Sequence, residues 1–217
     1  MKKHGVTIKY FLTIIILVAM FGGIAWADDK DYPHYVRLSS GFYQPTEDLD
    51  DAGYDSGVDL SLFFGKYFGR YLVLEGGLGF FYTERDIVGR TPAAGFYVEE
   101  DTVGILSVTA TAKGVYPIGR LELFGGAGIG GYFVSFDADV KSANLGNVDT
   151  DDDDAVFGFH ATGGFNFNIT ERFLLGGEVK YLWTDDVEIN KQISDIPIRL
   201  QGNLNGISVN ITFGFRF

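Results

Sequence analysis

Hydrophobic and polar residues alternate along eight separate segments of the chain. The segments lie at about 34–43, 56–67, 70–84, 102–116, 119–136, 155–169, 172–185 and 205–217. A period of two residues is typical of β-strands that have one apolar face. Each segment reaches the roughly 9–11 residues that a tilted strand needs to cross a bilayer. The pattern therefore predicts an all-β protein of eight strands.

The last segment shows this alternation most clearly, with large apolar residues at every second position. These are Ile207, Val209, Ile211, Phe213, Phe215 and Phe217. The two preceding segments repeat the pattern with Phe157, Phe159, Phe165, Phe167, Phe173, Leu175, Val179, Tyr181 and Trp183. Aromatic residues near predicted strand ends resemble the interfacial girdles of membrane barrels, namely Tyr43, Tyr67, Tyr71, Tyr82, Tyr116, Tyr132, Tyr181 and Trp183.

The connections between segments alternate between short and long. The short ones are Phe68-Gly69, Pro117-Ile118 and Thr170-Glu171, and the long ones lie at about 44–55, 85–101, 137–154 and 186–204. Membrane barrels sort their connections in this way, whereas a soluble β-sandwich has no reason to do so. We expect an eight-stranded antiparallel up-and-down transmembrane β-barrel, with short periplasmic turns and four long extracellular loops.

The first 27 residues have the three parts of a secretory signal peptide. Lysines precede an apolar run from Tyr10 to Ile24, and Ala25-Trp26-Ala27 forms a cleavage site. An uncleaved anchor is the alternative, but the apolar run is short for a span. With no cysteine in the chain, a lipoprotein anchor is excluded. We expect a cleaved segment at 1–27 and a barrel domain at 28–217, with no further periplasmic domain after Phe217.

Composition and charge agree with this interpretation. The chain has 30 glycines and 16% aromatic residues, which suits closely packed, curved strands better than helices. The formal net charge of −12 argues against a nucleic-acid partner, because phosphate binding needs clustered basic residues.

Two stretches resemble a known family, the small OmpA/OmpX/opacity-type barrels. Residues 160–165 and 174–181 are similar to the sixth and seventh strands of such barrels. The last strand resembles their assembly signal, with Val209, Ile211, Phe213, Phe215 and Phe217 at its alternate positions. The resemblance implies export to the Gram-negative outer membrane, contact with outer-membrane lipid and lipopolysaccharide, and insertion by the barrel assembly machinery.

If the apolar faces point to lipid, a set of polar residues points into the barrel. An eight-stranded barrel is only wide enough for side chains to fill its interior, and buried charges must pair. We expect a plugged lumen with a charge network formed by Arg37, Asp59, Glu75, Lys113, Glu122, His160, Glu178, Lys180 and Arg216. A narrow ion path gated by these pairs is the alternative.

Clustered carboxylates and one histidine are the remaining candidate sites. A Ca²⁺ or Mg²⁺ site is a weak hypothesis for Asp149, Asp151, Asp152, Asp153 and Asp154, which lack the spacing of a calcium loop and fit a solvated acidic loop better. Lipid A deacylases of similar fold use a His-x-Ser pair, but here the pair would be His160 and Thr162, with Thr in place of Ser. We therefore expect neither a cofactor nor a catalytic residue.

The function that follows is non-enzymatic. We expect a barrel that contributes to envelope integrity and contacts surface ligands through acidic extracellular loops. A minor channel or carrier for ions or small apolar molecules, as in OmpW-like barrels, is the alternative. A lipid A-modifying enzyme ranks third.

Overall fold

The computed structural model describes residues 33–91, 95–142, 146–193 and 196–217. The predicted signal peptide at 1–27 lies outside these residues and stays a prediction. In the described part of the chain, no helix is long and apolar enough to cross a membrane.

In the part of the chain that the structure describes, ten strands and one short helix follow each other. In order they are β1 (His34–Pro45), α1 (Asp48–Asp51), β2 (Gly57–Phe68), β3 (Leu72–Thr91), β4 (Gly95–Ile118), β5 (Leu121–Ser142), β6 (Gly146–Asn168), β7 (Phe173–Thr184), β8 (Val187–Ile193), β9 (Ile196–Gly202) and β10 (Gly206–Arg216). Eight of these strands close into an antiparallel barrel in the order β1-β10-β7-β6-β5-β4-β3-β2, and β8 pairs with β9. The predicted fold class is confirmed.

Short turns join the barrel strands at one end. They span residues 69–71, 119–120 and 169–172, within two residues of the predicted positions. The ladder between β4 and β5 runs to Ile118↔Leu121, so Pro117 belongs to a strand and not to the turn. Gly69 and Gly119 have positive φ angles of 70° and 63°, which a residue with a side chain adopts only with strain. Glycine at these two positions allows the chain to reverse direction tightly.

The long connections at the other end contain more regular structure than the sequence pattern indicated. Pairing continues to Thr91↔Gly95 between β3 and β4, and to Ser142↔Gly146 between β5 and β6. Because β2 pairs with β3 only as far as Val58↔Tyr82, strands β3 to β6 extend beyond the barrel as a four-stranded sheet. Alternation did not reveal these extensions because, outside the membrane, neither face of a strand needs to be apolar.

Apolar residues cover the outer surface of the barrel, as the alternation predicted. Leu175, Phe165 and Phe213 are 45%, 47% and 49% exposed, respectively, which suits side chains that face lipid. Three of the aromatic residues assigned to the girdles do not belong there. Tyr43 and Tyr132 are buried inside the barrel, and Tyr67 is partly buried against lumen residues. They sit at inward positions of their strands, so nearness to a strand end was not enough to place them.

Candidate functional site: the barrel lumen

The lumen is lined by every second residue of the eight barrel strands. Small residues on this face make room for large ones. At Gly128, an added Cβ atom would lie 2.5 Å from the His160 ring. Eight of the nine residues assigned to the interior are buried and the ninth, Arg216, is partly buried.

Four of these residues form a compact charge quartet: Arg37 of β1, Glu75 of β3, Lys113 of β4 and Glu178 of β7. The Arg37 guanidinium lies 2.9 Å from one Glu75 oxygen and 2.8 Å from a Glu178 oxygen. The Lys113 ammonium lies 2.7 Å from Glu75 and 2.8 Å from Glu178. Each cation therefore contacts both anions, and the two charges of each sign cancel. Pairing of this kind offsets the cost of removing charges from water.

Aromatic rings enclose the quartet. The Arg37 guanidinium carbon lies 4.5 Å from the centre of the Phe63 ring, and the Lys113 ammonium lies 4.7 Å from that of Phe124. The Tyr35 hydroxyl donates a hydrogen bond to Glu75 at 2.5 Å. Ring faces attract cations, so these aromatics both fill space and stabilise the charged layer.

A second polar group surrounds Asp59 of β2. Its carboxylate accepts hydrogen bonds from Ser61 at 2.9 Å and from Asn210 at 3.1 Å, and lies 3.6 Å from the Lys180 ammonium. Asp59 is fully buried. The carboxylate therefore has several partners inside the lumen.

A third polar group lies near the short turns. Arg216 contacts Glu122 at 3.0 Å and donates to the Tyr67 hydroxyl at 2.9 Å. Tyr67 donates in turn to Glu122 at 2.8 Å, and Asn166 donates to the same carboxylate at 3.2 Å. Eight of the nine predicted interior residues thus separate into three groups and not one continuous network.

His160, the ninth residue, lines a small cavity together with members of the quartet and Lys180 of the Asp59 group. Its Nε2 atom is 2.9 Å from the Thr111 hydroxyl, whereas its buried Nδ1 atom has no hydrogen-bond partner in the described structure. The space beside it measures about 10 Å³, enough for about one water molecule. Thr162 is also buried and donates to the Val179 carbonyl at 3.3 Å. His160 and Thr162 therefore both lie in the lumen and not on the lipid-facing surface.

Towards the long connections, the lumen becomes apolar. The Phe81 ring centre lies 4.6 Å from that of Tyr43 and 6.5 Å from that of Tyr132. The same buried cluster contains Leu49, Tyr54, Val103, Ile105, Val134, Phe136, Leu182, Val187 and Leu204. Because Leu49 and Tyr54 come from the connection between β1 and β2, that connection closes the extracellular end.

Hydrogen bonds hold this closing segment in place. Glu47 accepts from Asn205 at 2.8 Å, and Asp48 accepts from the Asn203 side chain at 2.7 Å. Arg85 pairs with the buried Asp101 and donates to the Ala52 carbonyl at 3.0 Å. The segment is thus attached both to the residues before β10 and to β3.

The aspartates proposed as metal ligands lie on the extended part of β6. Backbone register pairs Asp149 with Asp139 and Asp151 with Asp137. The side chains of Asp149, Asp151 and Asp152 lie outside the described part of the structure, while Asp153 is exposed and Asp154 partly so. Among the described residues, no three His, Cys, Asp or Glu side chains are grouped closely enough to hold a metal ion.

Sequence reasoning missed the aromatic residues of the lumen, above all Phe63, Phe81, Phe124 and Tyr132. A signal was nevertheless present, because residues of one parity along a strand share a face. Phe63 has the parity of Asp59, and Phe81 has that of Glu75. Large aromatics on a face that also carries charges indicate a filled interior.

The comparisons with known proteins agree with this architecture. The sequence model of the outer membrane protein beta-barrel domain family matches residues 13–217. No curated protein matches the chain. A major outer membrane protein from Thermus thermophilus is 12% identical, with a TM-score of 0.53 over 87% of this chain and 100% of its own.

Two further solved structures match this chain with lower TM-scores. Ail, the attachment invasion locus protein of Yersinia pestis, is 16% identical, with a TM-score of 0.48 over 87% of this chain and 100% of its own. The outer membrane protein W of E. coli is 16% identical, with a TM-score of 0.45 over 88% of this chain and 100% of its own. On the family match, the chain belongs to the outer membrane protein beta-barrel domain family and is a protein of the Gram-negative outer membrane.

Proposed function

We propose that the protein is a closed, non-enzymatic scaffold of the outer membrane. It contributes to envelope integrity and contacts other surfaces through its acidic extracellular strands. The observation that carries this proposal is the filling of the lumen. The charge quartet occupies its middle and the apolar cluster around Phe81 occupies its extracellular half.

A continuous water path would have to pass both layers. The cavities beside the charged groups measure about 10 Å³ each, which is about one water molecule. An ion that passed the apolar cluster would also lose its hydration without gaining polar partners. These features favour a sealed barrel over a channel.

The extended sheet supplies the surface for contact. Its backbone register places Asp86 opposite Glu100, Glu100 opposite Asp139 and Asp139 opposite Asp149, so one row of four acidic residues crosses the sheet. Like charges on neighbouring strands destabilise a sheet. A cationic surface, or divalent ions shared with lipopolysaccharide phosphates, would relieve that repulsion.

Single-channel recording tests the closed lumen. The mature chain is refolded into a planar bilayer, and folding is verified by a heat-dependent gel shift. We expect no conductance steps from the wild type or from Lys180→Ala, a substitution within the Asp59 group. Reproducible steps whose size changes in Lys180→Ala would overturn the proposal.

A minor ion path is the second candidate function, and one observation favours it. The three polar groups follow one another from Arg216 and Glu122, through the quartet, to Asp59 and Lys180, so much of the lumen is lined by charge. Only the apolar cluster interrupts this series in the described part of the barrel. The same recording separates the two candidates, since an ion path predicts steps in the wild type.

A further inference from the structure

The connection between β1 and β2 begins with a strained residue. Glu47 has a φ angle of 56° and a ψ angle of −126°, and it is the only non-glycine residue with a positive φ in the described part of the chain. A residue with a side chain keeps such a conformation only when its surroundings hold it there. Gly53, on the other side of α1, also has a positive φ, of 84°. The chain therefore turns sharply on both sides of α1.

Hydrogen bonds to the residues before β10 hold Glu47 in place. Its carboxylate accepts from the side-chain amides of Asn203 at 3.2 Å and Asn205 at 2.8 Å. The neighbouring Asp48 carboxylate accepts from the backbone N–H of Asn203 at 3.0 Å and from its side-chain amide at 2.7 Å. Glu47 and Asp48 are exposed, so water competes for these bonds and they cost little to break. These four residues form a latch.

The end of the connection is attached to β3 instead. Arg85 donates to the Ala52 carbonyl at 3.0 Å and lies 4.8 Å from the centre of the Tyr54 ring. A backbone bond from the Tyr54 N–H to the Leu49 carbonyl at 3.0 Å joins this end to α1. Leu49 is the buried residue of α1 and belongs to the apolar cluster at the extracellular end of the lumen. Glu47 and α1 are therefore held mainly by the latch and by the burial of Leu49.

We propose that Glu47 and α1 form a lid that swings outward from the extracellular end of the lumen while the barrel stays folded. Release of the latch lets Glu47 return to an ordinary backbone conformation, with Gly53 as the second hinge. The movement withdraws Leu49 and exposes the apolar cluster around Phe81 to the extracellular side. The strain relieved at Glu47 offsets part of the apolar burial that is lost. Because the charge quartet closes the lumen separately, the lid opens whether or not the barrel conducts.

Thiol labelling tests the lid, because the chain has no cysteine of its own. Leu49→Cys and Val103→Cys each place one thiol in the apolar cluster, the first on the lid and the second on β4 of the barrel wall. The full mature chains are refolded into lipid vesicles and treated with a water-soluble maleimide, and the heat-dependent gel shift verifies folding. We expect Leu49→Cys to react at least about tenfold faster than Val103→Cys, since local opening costs less than unfolding. Equal rates would mean that the cluster is exposed only when the barrel unfolds, and would overturn the lid.

Further substitutions in the Leu49→Cys background test the latch. Glu47→Ala removes the carboxylate but keeps the strained conformation, so labelling should accelerate about three- to tenfold. The matched control is Asp50→Ala, which removes an exposed carboxylate of α1 that is not part of the latch. It should change the rate by less than about twofold. An equal acceleration in both variants would overturn the latch.

Glycine at position 47 separates the effect of strain from that of the carboxylate. Glu47→Gly also removes the latch carboxylate, but glycine adopts the φ of 56° without strain. This variant should label more slowly than Glu47→Ala, because the strain relieved in the closed lid exceeds the freedom that glycine gains in the open one. Labelling as fast as that of Glu47→Ala, or faster, would overturn the role of strain in opening.

Discussion

Each charged residue of the quartet is balanced by two partners of opposite sign. Arg37 and Lys113 contact both Glu75 and Glu178 at 2.7–2.9 Å, with side chains that are at most 4% exposed. Removing one member leaves a buried charge that is only partly compensated. Removing one partner of a buried ion pair is strongly destabilising, whereas replacing the whole pair with apolar residues often leaves stability unchanged.

Glu178→Gln should therefore lower the free energy of unfolding by about 3 kcal/mol. The measurement is equilibrium urea unfolding of the barrel from lipid vesicles. Adding Lys113→Met restores charge balance, so the double variant should be more stable than the single one. A loss below about 1 kcal/mol in Glu178→Gln would indicate that water or mobile side chains already screen the quartet.

Two neighbouring glycines of β5 differ only in the face that they occupy. A Cβ atom on the inward Gly126 would lie 2.4 Å from the Ala112 carbonyl oxygen, whereas one on the outward Gly125 would approach nothing closer than 3.9 Å. Gly126→Ala should destabilise the barrel by about 1–3 kcal/mol, because packed interiors resist added volume. Gly125→Ala should change stability by less than about 0.5 kcal/mol. Similar losses for both variants would contradict the assignment of faces; urea unfolding is again the measurement.

At the scale of elements, the extended hairpins are separate from the membrane-spanning ladder. Strand β2 pairs with β3 only as far as Tyr82, and β7 pairs with β6 only as far as Gly158, so the extended parts of β3 to β6 lie beyond both neighbours. The extensions of β3 to β6 contact mainly one another. Their acidic residues can therefore serve binding without being required for the barrel.

A shortened hairpin tests this separation. Residues 138–150 are replaced by Asn-Gly, which joins the register partners Asp137 and Asp151 by a two-residue turn. The unfolding free energy and the heat-dependent gel shift should stay close to those of the wild type. Retention on a polylysine surface at low salt should fall, because part of the acidic sheet is removed. A barrel that fails to fold would show that the hairpin takes part in assembly, and unchanged retention would remove it from the proposed contact surface.

At the scale of the whole molecule, two different layers close the lumen in series. The quartet closes it by charge pairing, and the cluster around Phe81 closes it by apolar packing under the segment that contains Leu49. A path through one layer is still blocked by the other. Conductance should therefore respond to the two layers together and not to each alone.

Planar-bilayer recording of three variants measures this dependence. Phe81→Ala/Tyr132→Ala should be silent because the quartet remains, and Glu75→Ala/Lys113→Ala should be silent because the apolar cluster remains. The variant that combines all four substitutions should conduct. Conductance in either pair alone, with folding verified by the gel shift, would mean that the lumen has only one effective barrier.

Alternation along each strand is a local property, so the features that depend on it could be predicted from the residues alone. The number of barrel strands, the lipid-facing residues such as Phe165 and Phe213, and the inward direction of Arg37 and Glu178 could all be predicted. Each follows from a period of two residues together with the need to face lipid with apolar groups.

Which inward residues contact each other depends on how the strands are arranged around the barrel. Lys113 and Glu178 are 65 positions apart, and their contact depends on the register of strands around the barrel, which alternation within one strand does not specify. The same holds for the rings of Tyr43 on β1 and Phe81 on β3, whose centres lie 4.6 Å apart. Parity assigns a face to a residue, but register and strand length assign its neighbours.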